Sequence, residues 1–325
     1  MIEMMISITI GLFIVAGLIG LLISSSGSSK TNDRTAELQG NGRYALAHLA
    51  AKLREAGYRG YTAQAPQSSS WTTPALPISY PGVECGNAGS FVKNIRQAVW
   101  GNNDSNPFSA NCIPATSYLQ GDVLVTRNAA TTPTVLASAI ANTIYLRSAY
   151  SSAGVFQGSV LPADISATNN YALQEYVYYI SPFTNSLATT GLATENPPVP
   201  ALYRVALQAD ATNIGMTPEL VVTGIEQLQV QFGISNTDGT TQFFNANGVS
   251  ANVADSYATG PTNWDKISSV RIWLLARNSK PEIGYNDATV NPNGYQMGDV
   301  VYGPKNDSYR RQVFTSVIQL RNFRN

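Results

Sequence analysis

The sequence contains little histidine and little charge. Its 325 residues include one histidine, His48, and only 12% are Asp, Glu, Lys or Arg, about half the usual share. Hydrolysis by a serine or cysteine needs a base beside the nucleophile, and we predict a surface or packing role for His48. The GxxxxGK[ST] loop is absent, as is a GxGxxG after a strand. Paired-carboxylate chemistry stays open, since any two acidic residues can meet in a fold, but we expect no enzyme.

The charges also cancel. There are 20 basic and 20 acidic residues, so the chain lacks the basic field that a nucleic-acid-binding protein needs. We therefore predict no nucleic-acid partner. Neutral polar residues supply the surface polarity instead, which is common among exported proteins.

Cysteine is scarce as well. Cys85 and Cys112 bracket a loop rich in Gly, Asn, Ser and Pro, and two cysteines without further ligands do not make a zinc site. We expect a disulfide between them if the body lies outside the cytoplasm. Closing such a loop contributes roughly 3 kcal/mol in the chain-entropy model. The alternative is two unpaired cysteines that pack as small apolar side chains.

An apolar stretch occupies residues 1–23 and is long enough to cross a bilayer. It lacks the basic start, short apolar core and small-residue cleavage site of a secretory signal peptide, so we predict a membrane anchor. Glu3 lies at its head, where a carboxylate is costly unless it has a partner. Basic residues follow the stretch and none precedes it. On charge alone this would place the body in the cytoplasm.

A second helical segment follows over residues 33–56, with Gly57 as its natural end. The serine-rich residues 24–29 predict a polar interruption, after which Thr31 or Asn32 would cap a new helix. Apolar residues recur at helical spacing along one face of this segment. They are Leu38, Ala45, Leu46, Leu49, Leu53 and Ala56.

Residues 2–5, Ile-Glu-Met-Met, followed by the apolar helix, resemble the start of a mature type IV pilin or pseudopilin. Precursors of that family carry a short basic leader, a Gly cleavage site and then Phe-(Ser/Thr)-Leu-Ile-Glu-Leu-Met, and the new N-terminus is methylated. Glu3 matches the glutamate of this pattern. The match implies that the leader, the Gly and two mature residues precede Met1.

The same resemblance implies an assembly role for Glu3. In the family the glutamate meets the N-terminal amine of a neighbouring subunit, and Glu3 would then set the register of subunits in a filament. The alternative is a residue at headgroup level that snorkels to the membrane surface.

Seven segments further along the chain are similar, in their order and spacing, to minor pilins of the PilW type. They are residues 38–45, 53–60, 121–127, 201–204, 220–233, 270–277 and 309–322. The similarity implies protein partners: other minor pilins, the major pilin, the inner-membrane assembly machinery and, at the tip, an adhesin. It also implies a body in the periplasm, held at the bacterial inner membrane before assembly and then carried into the surface pilus.

The function we expect from this resemblance is a minor pilin. Such a protein primes the assembly of type IV pili, is incorporated at or near the tip, and contributes to twitching motility and adhesion. Two alternatives stay open: a minor pseudopilin of a type II secretion system, and a membrane-tethered periplasmic binding module.

Beyond residue 60 the sequence is typical of short strands separated by turn residues. The strand-like runs are residues 123–125, 143–146, 175–180, 202–205, 228–232, 270–275 and 313–320, and residues 60–118 and 278–308 are predicted connectors. We predict an α+β, pilin-like fold in which the long N-terminal α-helix packs by its second half on an antiparallel β-sheet. The expected division is residues 1–29 as transmembrane and assembly half, 30–60 as amphipathic half, and 61–325 as β-rich extracytoplasmic domain.

A calcium site is a weaker candidate. Asn236 and Asp238 stand around a Gly turn, as oxygen ligands do in short calcium loops. The segment lacks the full EF-hand series, and Asn-x-Asp-Gly is also a common hairpin turn, which we favour. We expect no other cofactor.

Aromatic residues in or near loops form a second candidate, an interaction surface. The alternative, which we favour, is that they cap sheet edges and loop cores. These residues are Tyr58, Tyr61, Trp71, Tyr80, Trp100, Tyr257 and Trp264.

Overall fold

A computed structural model describes most of the chain. The described residues are 2–60, 85–86, 90–93, 95, 97–135, 138–148, 153–159, 169–184, 195, 197–209, 214–235, 239–250 and 263–322. Helix α1 (Ile2–Glu55) has 54 residues, which gives it a length of about 80 Å.

Helix α1 is continuous, so the predicted interruption at residues 24–29 is wrong. Thr31 does not begin a new helix: its carbonyl accepts a hydrogen bond from the hydroxyl of Thr35 at 2.9 Å within the same helix. Extending a helix costs less than nucleating a second one, and a hydroxyl that bonds to the preceding turn is satisfied without a break.

The end of α1 agrees with the prediction at Gly57. This glycine has φ of 78°, a conformation that ends helices and suits glycine. Asn322, near the other end of the sequence, caps the C-terminus of α1. Its side-chain amide donates to the carbonyls of Arg54, Glu55 and Ala56 at 3.2 Å each. The last orphan carbonyls of the helix are therefore satisfied by a residue 266 positions away.

Strands make up most of the rest. The strands are β1 (Val99–Asn102), β2 (Val123–Thr134), β3 (Ile144–Ser148), β4 (Ala153–Gln157), β5 (Asn170–Ser181), β6 (Ala201–Ala209), β7 (Ile214–Thr223), β8 (Ile225–Ser235), β9 (Thr241–Phe244), β10 (Ile267–Arg277), β11 (Tyr295–Met297), β12 (Val300–Tyr302) and β13 (Arg311–Gln319). The short helices are α2 (Ser90–Lys93), α3 (Ala246–Ser250) and α4 (Asp287–Val290). Each of the seven predicted runs falls in a strand to within one residue.

The strands pair antiparallel in three sheets, where we predicted one. Strands β1, β2, β5, β3 and β4 are neighbours in that order, and β6 and β7 extend the sheet from β5. A second sheet has the order β13-β10-β8-β9, and β11 pairs with β12. The predicted connectors contain structure as well: α2 and β1 lie in the first, α4 and the β11–β12 hairpin in the second.

The second half of α1 packs mainly on β10 and β13, as the α+β prediction requires. The helix stripe and the inward side chains of the second sheet form one core. Leu38, Ala45, Leu49, Leu53 and Ala56 are buried in it and Leu46 is half-buried. The α+β class is therefore confirmed, with the helix as the second layer that buries one face of the sheet.

The disulfide between Cys85 and Cys112 is present. The two Cα atoms are 4.7 Å apart and the residues are 27 positions apart in sequence. Both cysteines are buried beside Phe91, Phe108 and Ile113. For a loop of this length the chain-entropy model gives a contribution of about 3–4 kcal/mol.

Gly42 lies where α1 packs closely against Phe314 of β13. A Cβ atom at this position would overlap the ring of Phe314, whereas a Cβ at Gly40, on the exposed side of α1, would meet nothing within 4 Å. Alanine is favoured over glycine in a helix interior by about 1 kcal/mol, but overpacking a core costs about 1–3 kcal/mol.

We therefore expect opposite signs for the two glycines in denaturant unfolding of the detergent-solubilised chain. Gly42→Ala lowers the free energy of unfolding by about 1 kcal/mol, and Gly40→Ala raises it by up to about 1 kcal/mol. In a Phe314→Ala background the penalty at Gly42 disappears. Equal stabilisation by both glycine substitutions would show that the helix is not held this closely.

Asp122 connects the two large sheets. It is 2% exposed and immediately precedes β2. Its carboxylate accepts hydrogen bonds from the backbone N–H groups of Asp104 at 3.0 Å and Val230, in β8, at 2.7 Å. Its own N–H donates to the carbonyl of Leu228 at 2.8 Å. Burial raises the pKa of Asp122 to about 7, although these backbone hydrogen bonds lower it, and the charges of Asp104 and Asp299 raise it further.

Because the folded-state pKa is raised, the folded chain holds a proton on Asp122 that the unfolded chain releases from about pH 4 upward. The contribution of Asp122 to the free energy of unfolding should fall by as much as about 4 kcal/mol between pH 4 and 7. Asp122→Asn carries no such proton. Its stability relative to the parent should rise across this range in denaturant titrations, and a flat difference would contradict the burial effect.

Candidate assembly interface

The first half of α1 is an uncovered apolar surface. All described side chains from Ile2 to Lys30 are exposed, including Phe13 at 80%. Within the described residues, α1 is the one helix long and apolar enough to cross a membrane. A run of this length and exposure needs another apolar environment, either lipid or neighbouring helices. The N-terminal helix is thus consistent with membrane anchoring.

Glu3 lies in the first turn of this apolar half, beside the exposed Ile2, Met4 and Met5. Among the described residues nothing forms an ion pair or hydrogen bond with its carboxylate. The nearby hydroxyl of Thr9 is satisfied inside the helix, where it donates to the carbonyls of Met5 and Ile6 at 3.1 and 2.9 Å. Glu3 is therefore the polar group here that needs a partner from outside, since a lone carboxylate is costly in hydrocarbon.

Within the described residues, the body first contacts α1 at Thr31, where the first half-buried side chain of the helix lies. Its hydroxyl donates to Glu282 at 3.4 Å, and Ser279 donates to Glu37 at 3.1 Å. Arg310 donates twice to Glu282, at 2.5 and 2.9 Å. The hydrogen bonds from Arg310, with a smaller effect from Thr31, lower the pKa of Glu282, whereas its partial burial raises it. The apolar half therefore projects from a junction fixed by charge and hydrogen bonds.

His48 has a packing role in the structure, as the sequence predicted. Its ring lies edge-on to Tyr178 with centroids 5.8 Å apart, and Nε2 is 3.3 Å from the Tyr178 hydroxyl. Burial, followed by the positive charges of Arg204 and Lys52, lowers the pKa of His48 below 6.5.

The other sequence candidates divide into described and undescribed residues. Asn236 and Asp238 of the calcium candidate lie outside the described residues. Strands β8 and β9, on either side of this segment, are paired, and Gly239 has φ of 82°, which suits the hairpin alternative. Across the part of the chain that is described, no group of three or more His, Cys, Asp or Glu residues is placed to hold a metal ion.

Three of the loop aromatics are described, and each packs against another aromatic ring of the body: Trp264 is buried, while Trp100 and Tyr58 are half-buried. Trp264 is 1% exposed and lies edge-on to Phe232, with centroids 4.9 Å apart. Trp100 is 6.0 Å from Trp264, and Tyr58 lies edge-on to Tyr171 at 6.2 Å. These three do not form an exposed interaction surface. Tyr61, Trp71, Tyr80 and Tyr257 lie outside the described residues.

A buried charge network escaped the sequence analysis. Arg311 in β13 contacts Glu226 at 2.5 Å, Asp307 at 2.7 Å and Asp287 at 3.4 Å. Burial opposes the charge of Arg311, but its hydrogen bonds to Asp307 and Glu226 outweigh this and raise its pKa. The network joins β8, β13 and the segment containing α4. The sequence carries no local signal for this network, because Glu226 and Arg311 are 85 positions apart.

One comparison with known proteins supports the resemblance found in the sequence. Residues 177–322 match the family model described as type IV pilus-assembly protein W, so the resemblance to PilW-type proteins is confirmed over that part of the chain. Among solved structures, a type IV-like pilin from Thermus thermophilus aligns with 12% identity and a TM-score of 0.29, covering 73% of this chain and 95% of that one. No curated protein sequence matches the chain.

Proposed function

Because residues 177–322 match type IV pilus-assembly protein W, we propose that this protein is a minor pilin of type IV pili. Before assembly its apolar half spans the bacterial inner membrane, with the body in the periplasm. It then joins other minor pilins, primes polymerisation of the major pilin and remains at or near the filament tip. The observation that carries the proposal is this match, together with an apolar half of α1 that the body leaves uncovered.

The proposed mechanism uses one surface in two environments. In the membrane, residues 2–22 contact lipid; in the filament, the same side chains pack against the equivalent helices of neighbouring subunits. Glu3 has no partner among the described residues, so a neighbour's N-terminal amine would neutralise it and fix the stagger between subunits. The contribution is structural, and no step of it requires catalysis. Side contacts through the sheets and loops would hold the other minor pilins and a tip adhesin.

The first test is quantitative mass spectrometry of filaments sheared from cells, compared with the membrane fraction. We expect this protein in the filaments at low copy number relative to the major pilin, and fewer filaments when its gene is deleted. Detection in the membrane fraction alone would contradict the proposal and favour a tethered binding module. Loss of protein secretion with normal pili would favour a pseudopilin of a type II secretion system.

A further inference from the structure

The turn at residues 280–284, here called the base loop, meets α1 at Thr31, the first half-buried side chain among the described residues of the helix. It carries Glu282, which accepts the hydrogen bond from Thr31. All described side chains of α1 before Thr31 are exposed, so no described body residue covers the helix further toward the apolar half. Among the described residues of the body, the base loop therefore lies next to the membrane or the neighbouring helices that surround the apolar half.

The base loop is held in place on the helix. Glu282 receives both hydrogen bonds from Arg310, and its backbone N–H donates to the carbonyl of Ser308 at 2.8 Å. The guanidinium of Arg310 also stacks on the ring of Tyr285, 4.4 Å from its centroid. This pinning fixes the conformation of the loop next to the helix.

Ile283 lies in this loop, and no described residue covers its side chain. Its side chain is 103% exposed, the highest value among the exposed large apolar residues of the described chain. Gly284 follows with φ of 81°, a turn conformation that glycine adopts without strain. A fully exposed isoleucine next to a membrane anchor has the apolar surface that interfacial membrane contacts use.

The base loop reaches the lipid headgroups when the helix tilts toward it. Thr31 is nine residues beyond Leu22, or about 13–14 Å along the helix axis, whereas the headgroup layer extends about 5–8 Å beyond the hydrocarbon on each side. In an upright helix the loop would therefore stay outside this layer, and the contact requires a helix tilted toward the loop, as membrane helices commonly are. Lys30 and Lys280 are exposed near the junction, as is Asp33, and the two lysines would attract anionic headgroups.

We propose that the base loop is a second membrane contact, in which Ile283 enters the headgroup region while the subunit awaits assembly. The inference rests on the membrane anchoring proposed above. The contact fixes the tilt of the body against the bilayer, so that the subunit rests in one orientation before it is extracted into a filament.

The test uses the full chain in vesicles of phosphatidylethanolamine and phosphatidylglycerol, with the Cys85–Cys112 disulfide oxidised. A single thiol from Ile283→Cys, Leu12→Cys or Val317→Cys is labelled with the fluorophore NBD. Lipids with a nitroxide near the headgroup or deep in the acyl chains then quench the probe. Val317 is the matched control, since it is 55% exposed and lies in β13 beyond Phe314, which contacts α1 at Gly42.

We expect deep quenching at position 12, and headgroup quenching at position 283 about twofold or more stronger than at position 317. Quenching at 12 with equal, weak quenching at 283 and 317 would overturn the inference and leave the anchor intact. No quenching at 12 would overturn the anchor itself. A signal at 283 that appears only at high protein-to-lipid ratio would overturn the lipid contact in favour of a contact between subunits.

Discussion

Glu3→Ala is expected to leave the body folded and the chain in the membrane, while its copies per filament fall by on the order of tenfold or more. The reason is that Glu3 lies among exposed apolar side chains with no partner in the described chain. In the proposed filament the charge pair with a neighbouring subunit is its means of neutralisation. Alanine removes this charge pair, so one axial offset between neighbouring helices is no longer favoured over the others. Quantitative mass spectrometry of sheared filaments gives the copy number directly.

Two further variants test whether the charge of Glu3, specifically, causes this loss. Glu3→Gln keeps the size and loses the charge, so it should match Glu3→Ala if the charge is what assembly uses. Asp33→Ala removes an exposed acid from the same helix, outside the apolar half, and should be recruited normally. Oxidation of Cys85 and Cys112 and protease resistance report the folded body. Normal recruitment of Glu3→Ala would refute the assembly role of Glu3.

Arg311→Met is expected to destabilise the second sheet strongly. The Arg311 side chain is 1% exposed and its partners Glu226 and Asp287 are 8% and 0% exposed. Removing the cation leaves Glu226 with only the more distant Arg277, at 3.5 Å. Asp287 keeps hydrogen bonds from neutral donors alone, so both buried carboxylates lose their main counter-charge. Breaking a buried pair in this way typically costs about 3–5 kcal/mol of unfolding free energy, measurable by denaturant unfolding in detergent.

Arg310→Met is the matched control, because Arg310 is the adjacent residue and also donates to a carboxylate. Its side chain is 40% exposed, where water screens the pair, and the expected loss is about 1 kcal/mol or less. In the double variant Glu226→Gln/Arg311→Met, part of the loss should be recovered, since fewer charges remain buried. Equal losses for Arg310→Met and Arg311→Met would contradict the assigned network.

The local parts of this fold were predictable from the sequence. Apolar spacing located the helix stripe, alternation located the seven strand runs, and Gly57 marked the end of α1. No new helix begins after residues 24–29, because extending an existing helix costs less than nucleating a second one. Strand β7 was not predicted, and Pro218 lies inside it. A proline there suits a strand with a free side, and β7 pairs with β6 alone among the described strands.

The long-range parts could not be predicted. The division into two large sheets depends on contacts such as Asp122 with Val230, 108 positions apart, and no local period encodes them. The same holds for the charge network, where Glu226 and Arg311 are 85 positions apart. For the assembly interface, Glu3 and the apolar stretch could be predicted directly, because a membrane-length run is a local property.

The cap that Asn322 places on the end of α1 has a consequence for how the subunit is made. The helix is synthesised first, but β13 and its cap come from the last residues described. Translation at about 5–20 residues per second separates the two by about 10–50 s. During that interval the stripe that β10 and β13 cover is bare and needs shielding by lipid or a chaperone. A product that stops before Arg311 has β10 but lacks β13 and the cap. It leaves part of the helix stripe exposed, which distinguishes an unfinished subunit from a finished one.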